Sequence, residues 1–147
     1  MLDLVPSFVP DAKRLAGIFS SATSPTFFLG AVAAFASLMS LRMSAVMERV
    51  RNLNAISEDD ESRAHLKSDL SRLMRRAQLL KSGIFSSLVS GVCATILLAI
   101  LFITEFLSIT YAYGAGLLFV IATIFLGIAL FRFAQEVSIS LDEPDKY

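Results

Sequence analysis

The stretch IFSSLVSGVCATILLAILFIT at positions 84–104 carries no ionised side chain over 21 residues. A bilayer core ~30 Å thick needs about 20 apolar helical residues. Two further stretches share the property, PTFFLGAVAAFASLMSL at 25–41 and YAYGAGLLFVIATIFLGIALF at 111–131. Inside a membrane no water is present to bond exposed N–H and C=O groups, so each stretch must be a helix. An all-α integral membrane protein with three spans is the expected fold.

Outside these stretches the charges are unevenly placed. The 147 residues have a formal net charge of zero, 55% hydrophobic content and a mean hydropathy of +0.67, which leaves room for a single membrane domain. Nine of the 13 Lys and Arg residues lie between the first and second spans: Arg42, Arg49, Arg51, Arg63, Lys67, Arg72, Arg75, Arg76 and Lys81. The positive-inside rule assigns that connection to the cytoplasm, the N-terminus to the outside and the C-terminus, beside Arg132, to the inside. Lys13 and Arg14 run against this orientation, but two charges oppose nine. Positions 1–10 lack a basic region followed by an apolar core, so the first span is expected to be an uncleaved anchor. The lone cysteine, Cys93, excludes an internal disulfide and a cysteine-based metal cluster, and its apolar neighbours suit a packed thiol.

Along the chain, positions 10–20 read either as a short interfacial helix, with Ala12, Leu15, Ala16 and Phe19 on one face, or as a frayed terminus. Ser24 and Pro25 form a helix start, serine as cap and proline first. Beyond the first span, Met43, Val46, Val50 and Leu53 continue an apolar stripe. A turn near Asn54 and an acidic run, Glu58 to Glu61, suit the start of a return helix, with Ser57 and Asp60 resembling a capping box. That helix carries Leu66, Leu70, Leu73, Ala77, Leu80 and Ile84 at steps of four and three. Positions 42–82 are thus expected to form a cytoplasmic antiparallel coiled-coil hairpin. Its arms are unequal, about 13 residues out and about 25 back, a mismatch of ~18 Å at ~1.5 Å per residue. An early exit of the first span, a bend at Ser82-Gly83 or a tilt of the second span would each absorb it. The third span has Tyr111 and Tyr113 as interfacial aromatics and ends at Arg132, with 132–147 as a cytoplasmic tail.

Small and hydroxyl residues mark the arginine-side halves of the first two spans. Ser37, Ser40 and Ser44 lie on the first, and Ser86, Ser87, Ser90 and Thr95 on the second. They serve either close helix packing or the wall of a wetted groove or pore. Glu105 is an interfacial carboxylate or, in a cyclic oligomer, one member of an outer ring. Arg72, Arg75, Arg76 and Lys81 are placed for contact with anionic lipid. His65, the only histidine, reads as a solvated residue. No catalytic motif and no phosphate-binding glycine loop is present, so an enzyme and a bound cofactor are not expected. Acidic residues dilute the basic field, which argues against nucleic acid.

The residues Pro25-Thr26-Phe27-Phe28-Leu29, Arg42, Glu48-Arg49-Val50-Arg51 and Arg75-Arg76-Ala77 resemble those of the bacterial membrane proteins grouped as domain of unknown function 2721. The resemblance spans about 24–138 and implies a bacterial inner-membrane protein, with no activity or site residues to carry over. The order of span, hairpin and two further spans is also similar to the core of the membrane-protein insertases, by architecture alone. The expected partners are therefore the lipid bilayer, further copies of the chain, and a cytoplasmic protein on the hairpin. Three function classes follow: a non-enzymatic homo-oligomer passing ions or small solutes, an insertase-like assembly factor, and a scaffold displaying the hairpin.

Overall fold

The computed structural model describes residues 12–56, 64–109 and 112–142. Helix α1 runs Ala12–Asn54, α2 Leu70–Leu107 and α3 Ala112–Leu141, with a 3₁₀ segment, Ala64–Asp69, leading into α2. All three helices are long and apolar enough to cross a membrane. Several expectations lie outside the described residues: the acidic run with its Ser57–Asp60 cap, the side chain of His65, Tyr111 and the last five positions.

The helices alternate in direction, and α2 is the central member, packed on α1 along one side and α3 along the other. The buried positions explain this order. On α1, Val32, Met39 and Val46 are spaced by seven, and on α3, Ala115, Ala122 and Ala129 are too. A repeat of seven keeps one helix face on its neighbour for many turns. Helix α2 has two such rows, Leu73–Leu80–Ser87–Ala94 and Gly83–Ser90–Leu97, so it alone is buried on two sides. The alanine row lets α3 approach closely. Ser90 Oγ donates to the Ala122 carbonyl at 2.7 Å, a bond between helices.

The two apolar stripes expected beyond the spans do meet. Met39, Val46 and Val50 form one buried cluster with Leu73, Ala77, Leu80 and Ala129, and Met43, Leu53, Leu70 and Ile84 pack around it. Leu66 is exposed and takes no part in the buried cluster.

Four expectations about boundaries change. First, among the described residues there is neither a separate short helix nor a frayed end over 12–20: α1 is continuous from Ala12, with Ser24 and Pro25 inside it. Proline removes one backbone donor. The neighbouring Thr23 and Thr26 hydroxyls donate back to the Phe19 and Ala22 carbonyls within this turn, and Pro25 itself is buried. Second, the arms match. The return α-helix begins at Leu70, so the α-helical stretches 42–54 and 70–82 are of equal length, and a 3₁₀ segment, Ala64–Asp69, precedes the second. Third, 132–141 is helix, not tail. Fourth, the hairpin has therefore become three helices: α3 passes Arg132 and packs beside both arms.

Gly83 on α2 faces side chains or backbone of both other helices. A Cβ there would lie 2.9 Å from Met39 Sδ, 3.5 Å from the Ala129 carbonyl and 3.6 Å from Arg132 Cβ. The thioether end is mobile; the backbone of α3 is not. Gly83→Ala is expected to fold with nearly unchanged thermal stability, while Gly83→Leu loses about 1–3 kcal/mol by overpacking. Equal stability of the two variants, measured by thermal unfolding in detergent, would show that α3 does not press on this point.

Candidate functional site at the arginine-rich end

Continuing the alanine row of α3 by seven more residues reaches Glu136, whose side chain is fully buried. A lone buried carboxylate is costly, so it must be paired and hydrogen-bonded. Both partners come from the other two helices. Arg42 lies three residues after Met39 and four before Val46, and Arg76 lies three after Leu73 and four before Leu80, each at the edge of its helix's buried face. Arg42 Nε donates to Glu136 Oε2 at 2.9 Å and its Nη2 to Oε1 at 3.3 Å. Arg76 Nε and Nη2 donate to Oε1 at 3.0 and 2.9 Å, and Nη2 also donates to Ser140 Oγ at 3.1 Å. One carboxylate of α3 thus holds a guanidinium of α1 and a guanidinium of α2. The three groups together carry one net positive charge.

Aromatic contacts fix the geometry further. Arg42 Cζ lies 5.5 Å from the centre of the Phe133 ring, and Phe133 meets Phe35 edge-on at 5.2 Å. The guanidinium of Arg42 therefore has a carboxylate in front and a ring face beside it, both supplied by α3.

At the other end of the bundle, Arg14 Nε donates to Glu105 Oε1 at 3.3 Å, and its Nη2 to the Glu105 carbonyl at 2.7 Å and to Ser108 Oγ. Ser108 ends α2 in the left-handed region, φ 55°. Both partners of this pair are nearly half exposed, so it adds little stability. It does explain how Arg14 sits at that end: its charge is matched by Glu105. The pair engages one oxygen of the Glu105 carboxylate.

The hydroxyl residues separate into two groups. Ser86, Ser87 and Ser90 are buried between helices, and the Ser87 hydroxyl has no hydrogen-bond partner there. Ser37, Ser40 and Ser44 are exposed on α1, and Thr95 is exposed on α2. The hydroxyls of these four donate back to the carbonyls of Ala33, Ala36, Ser40 and Gly91. The basic residues separate too. Arg76 is bound inside the triad, Lys81 and Arg75 are exposed, and Arg72 lies beside Asp69, Leu73 and Arg76. Arg75 and Arg132 share a groove between α2 and α3.

Glu136 is the residue that sequence reading missed, because an apolar span followed by charge was read as a tail. Its signal was available in the spacing Ala115, Ala122, Ala129, Glu136, which carries one buried row past the membrane boundary. The triad predicts an ordered loss of stability. Glu136→Gln leaves two guanidiniums without their carboxylate and costs about 3–5 kcal/mol, while Arg76→Met leaves Glu136 paired with Arg42 and costs up to about 3 kcal/mol. Arg42→Met, at a side chain one-third exposed, likewise costs less than Glu136→Gln, roughly 1.5–3 kcal/mol. Replacing all three with Met or Leu recovers most of the loss. Equal small effects for the single variants in thermal unfolding would contradict the pairing.

The chain matches the family model described as Protein of unknown function (DUF2721) over residues 22–144, a span that contains Arg42, Arg76 and Glu136. No curated protein and no solved structure matches it. The match covers most of the chain and reaches into all three membrane-length helices, and the protein therefore belongs to the DUF2721 family.

Proposed function

We propose that this protein is the subunit of a non-enzymatic homo-oligomer in the bacterial inner membrane, with the arginine-rich end in the cytoplasm and α1 turned toward the symmetry axis. The outward face of α1 carries this reading. Gly30, Ala33, Ser37, Ser40 and Ser44 recur at steps of three and four and are all exposed. Nothing lies within 4 Å of the place a Cβ of Gly30 would occupy. In a bilayer, small residues on one face let another helix approach closely and gain dispersion contacts that lipid does not supply. The same face repeated around a closed ring buries that surface in every copy.

The serine strip also supports a path for ions or small solutes along the axis. Each hydroxyl that donates to its own helix keeps acceptor lone pairs free for a passing solute. Further along this face, Glu48 and Arg51 pair at 3.2 Å, so the mouth presents no excess charge. The insertase reading is less favoured, because Ser86, Ser87 and Ser90 are enclosed between helices and offer no lateral cleft. The non-enzymatic reading rests on the engagement of the polar groups: Glu136 and Glu105 are each held by arginine.

Native mass spectrometry of the full chain in mild detergent is expected to give a multiple of 16.0 kDa. In a Cys93→Ser background, Ser40→Cys is expected to form a disulfide between copies. In liposomes, Ser37→Leu with Ser40→Leu is expected to abolish ion or small-solute flux and to weaken the assembly. A single-copy mass with no Ser40→Cys cross-link would contradict the proposal, and a multiple without flux would withdraw the path alone.

A further inference from the structure

Beside the triad, on the far side of α2 from α1, a groove of about 640 Å³ runs between α2 and α3, lined by Arg75, Gln78, Ser82, Arg132, Gln135 and Ser138 with two apolar residues. Ser82 directly precedes the glycine before the uncharged stretch 84–104, and Arg132 directly follows the stretch 111–131. The groove therefore opens at the boundary between hydrocarbon and head groups. Among the described residues, neither Arg75 nor Arg132 takes part in a hydrogen bond or ion pair, and no carboxylate lines the groove. Gln135 Oε1 is buried with no hydrogen-bond partner.

We propose that this groove binds a phosphate ester that also carries a hydroxyl or ammonium donor. Two guanidiniums from separate helices present planar sets of N–H donors suited to phosphate oxygens. A rotation of the Gln135 side chain, which lines the groove, would turn its unpartnered oxygen to accept from a hydroxyl or ammonium group on the same ligand. Gln78, Ser82 and Ser138 surround the remaining oxygens. A glycerophospholipid head group of the adjoining leaflet has this chemistry, and so does a free glycerol phosphate. The site is independent of the assembly of α1, since it lies between α2 and α3. It also narrows the lipid-contact residues expected from sequence. Arg75 remains, Arg132 joins it, and Arg76 is withdrawn because the triad holds it.

The test uses the full chain in neutral detergent, titrated with phosphatidylglycerol and with phosphatidylcholine and read by native mass spectrometry. One tightly retained phosphatidylglycerol per chain is expected. Arg75→Gln with Arg132→Gln is expected to reduce retention at least tenfold, while the equally charge-reduced Arg51→Gln with Lys67→Gln retains it. Phosphatidylcholine, whose head group has no N–H or O–H donor, is expected to be retained at least tenfold less. Competition by millimolar sn-glycerol 3-phosphate that depends on the same two arginines would support the site and identify the free ester as its source. Failure of that competition, with phosphatidylglycerol retained, would support the lipid head group. Equal loss in both double variants, or equal retention of the choline lipid, would overturn the proposal.

Discussion

One carboxylate shared by two guanidiniums closes the bundle at its arginine-rich end. Glu136 is fully buried, and its oxygens receive four N–H bonds from Arg42 and Arg76. Everything at that end follows from the cost of leaving such a group unmatched. Helix α3 must continue past the hydrocarbon to deliver Glu136. The arms of α1 and α2 must keep a common register to bring Arg42 and Arg76 to it. Arg76 must also turn inward, away from the lipid.

Within the hydrocarbon a different force acts. Lipid chains are as apolar as leucine, so burial from water does not hold the helices together. Close approach of small residues does. The alanine row of α3 faces Gly83 and Ser90 of α2, and the Ser90 bond to the Ala122 carbonyl crosses the contact. The same seven-residue row begins as alanine in the uncharged stretch 111–131 and ends as glutamate after it. Small residues set the distance between helices, and the ion triad sets how far each slides along the others. α1 has only one face against α2, so its serine face stays uncovered, and the assembly proposal starts there.

The three spans were legible from 84–104 and its two companions because absence of charge over membrane length has one physical reading. The seam of Leu73, Ala77 and Leu80 with Val46 and Val50 was legible from its spacing. Other features were not, for identifiable reasons. Ser24-Pro25 has the residue types of a helix start, but the proline is buried within a helix that begins at Ala12, so α1 runs through. The arm lengths looked unequal because the start of the return helix was taken from its acidic residues, whereas the α-helix begins at Leu70. The serine stripe looked like one feature in sequence. Burial divides it into a packed set on α2 and an exposed set on α1, which residue type alone does not distinguish. Glu105 looked unpaired because its partner, Arg14, is 91 positions away.

The most direct measurement is the distance distribution between spin labels on Met47→Cys and Ser138→Cys, two exposed positions on α1 and α3 at the arginine-rich end, in a Cys93→Ser background. A second pair, on Thr26→Cys and Thr123→Cys, reports the membrane interior of the same helices. If Glu136 is the closure, Glu136→Gln broadens the first distribution and leaves the second narrow. A first distribution that stays narrow and unshifted in Glu136→Gln would contradict the account.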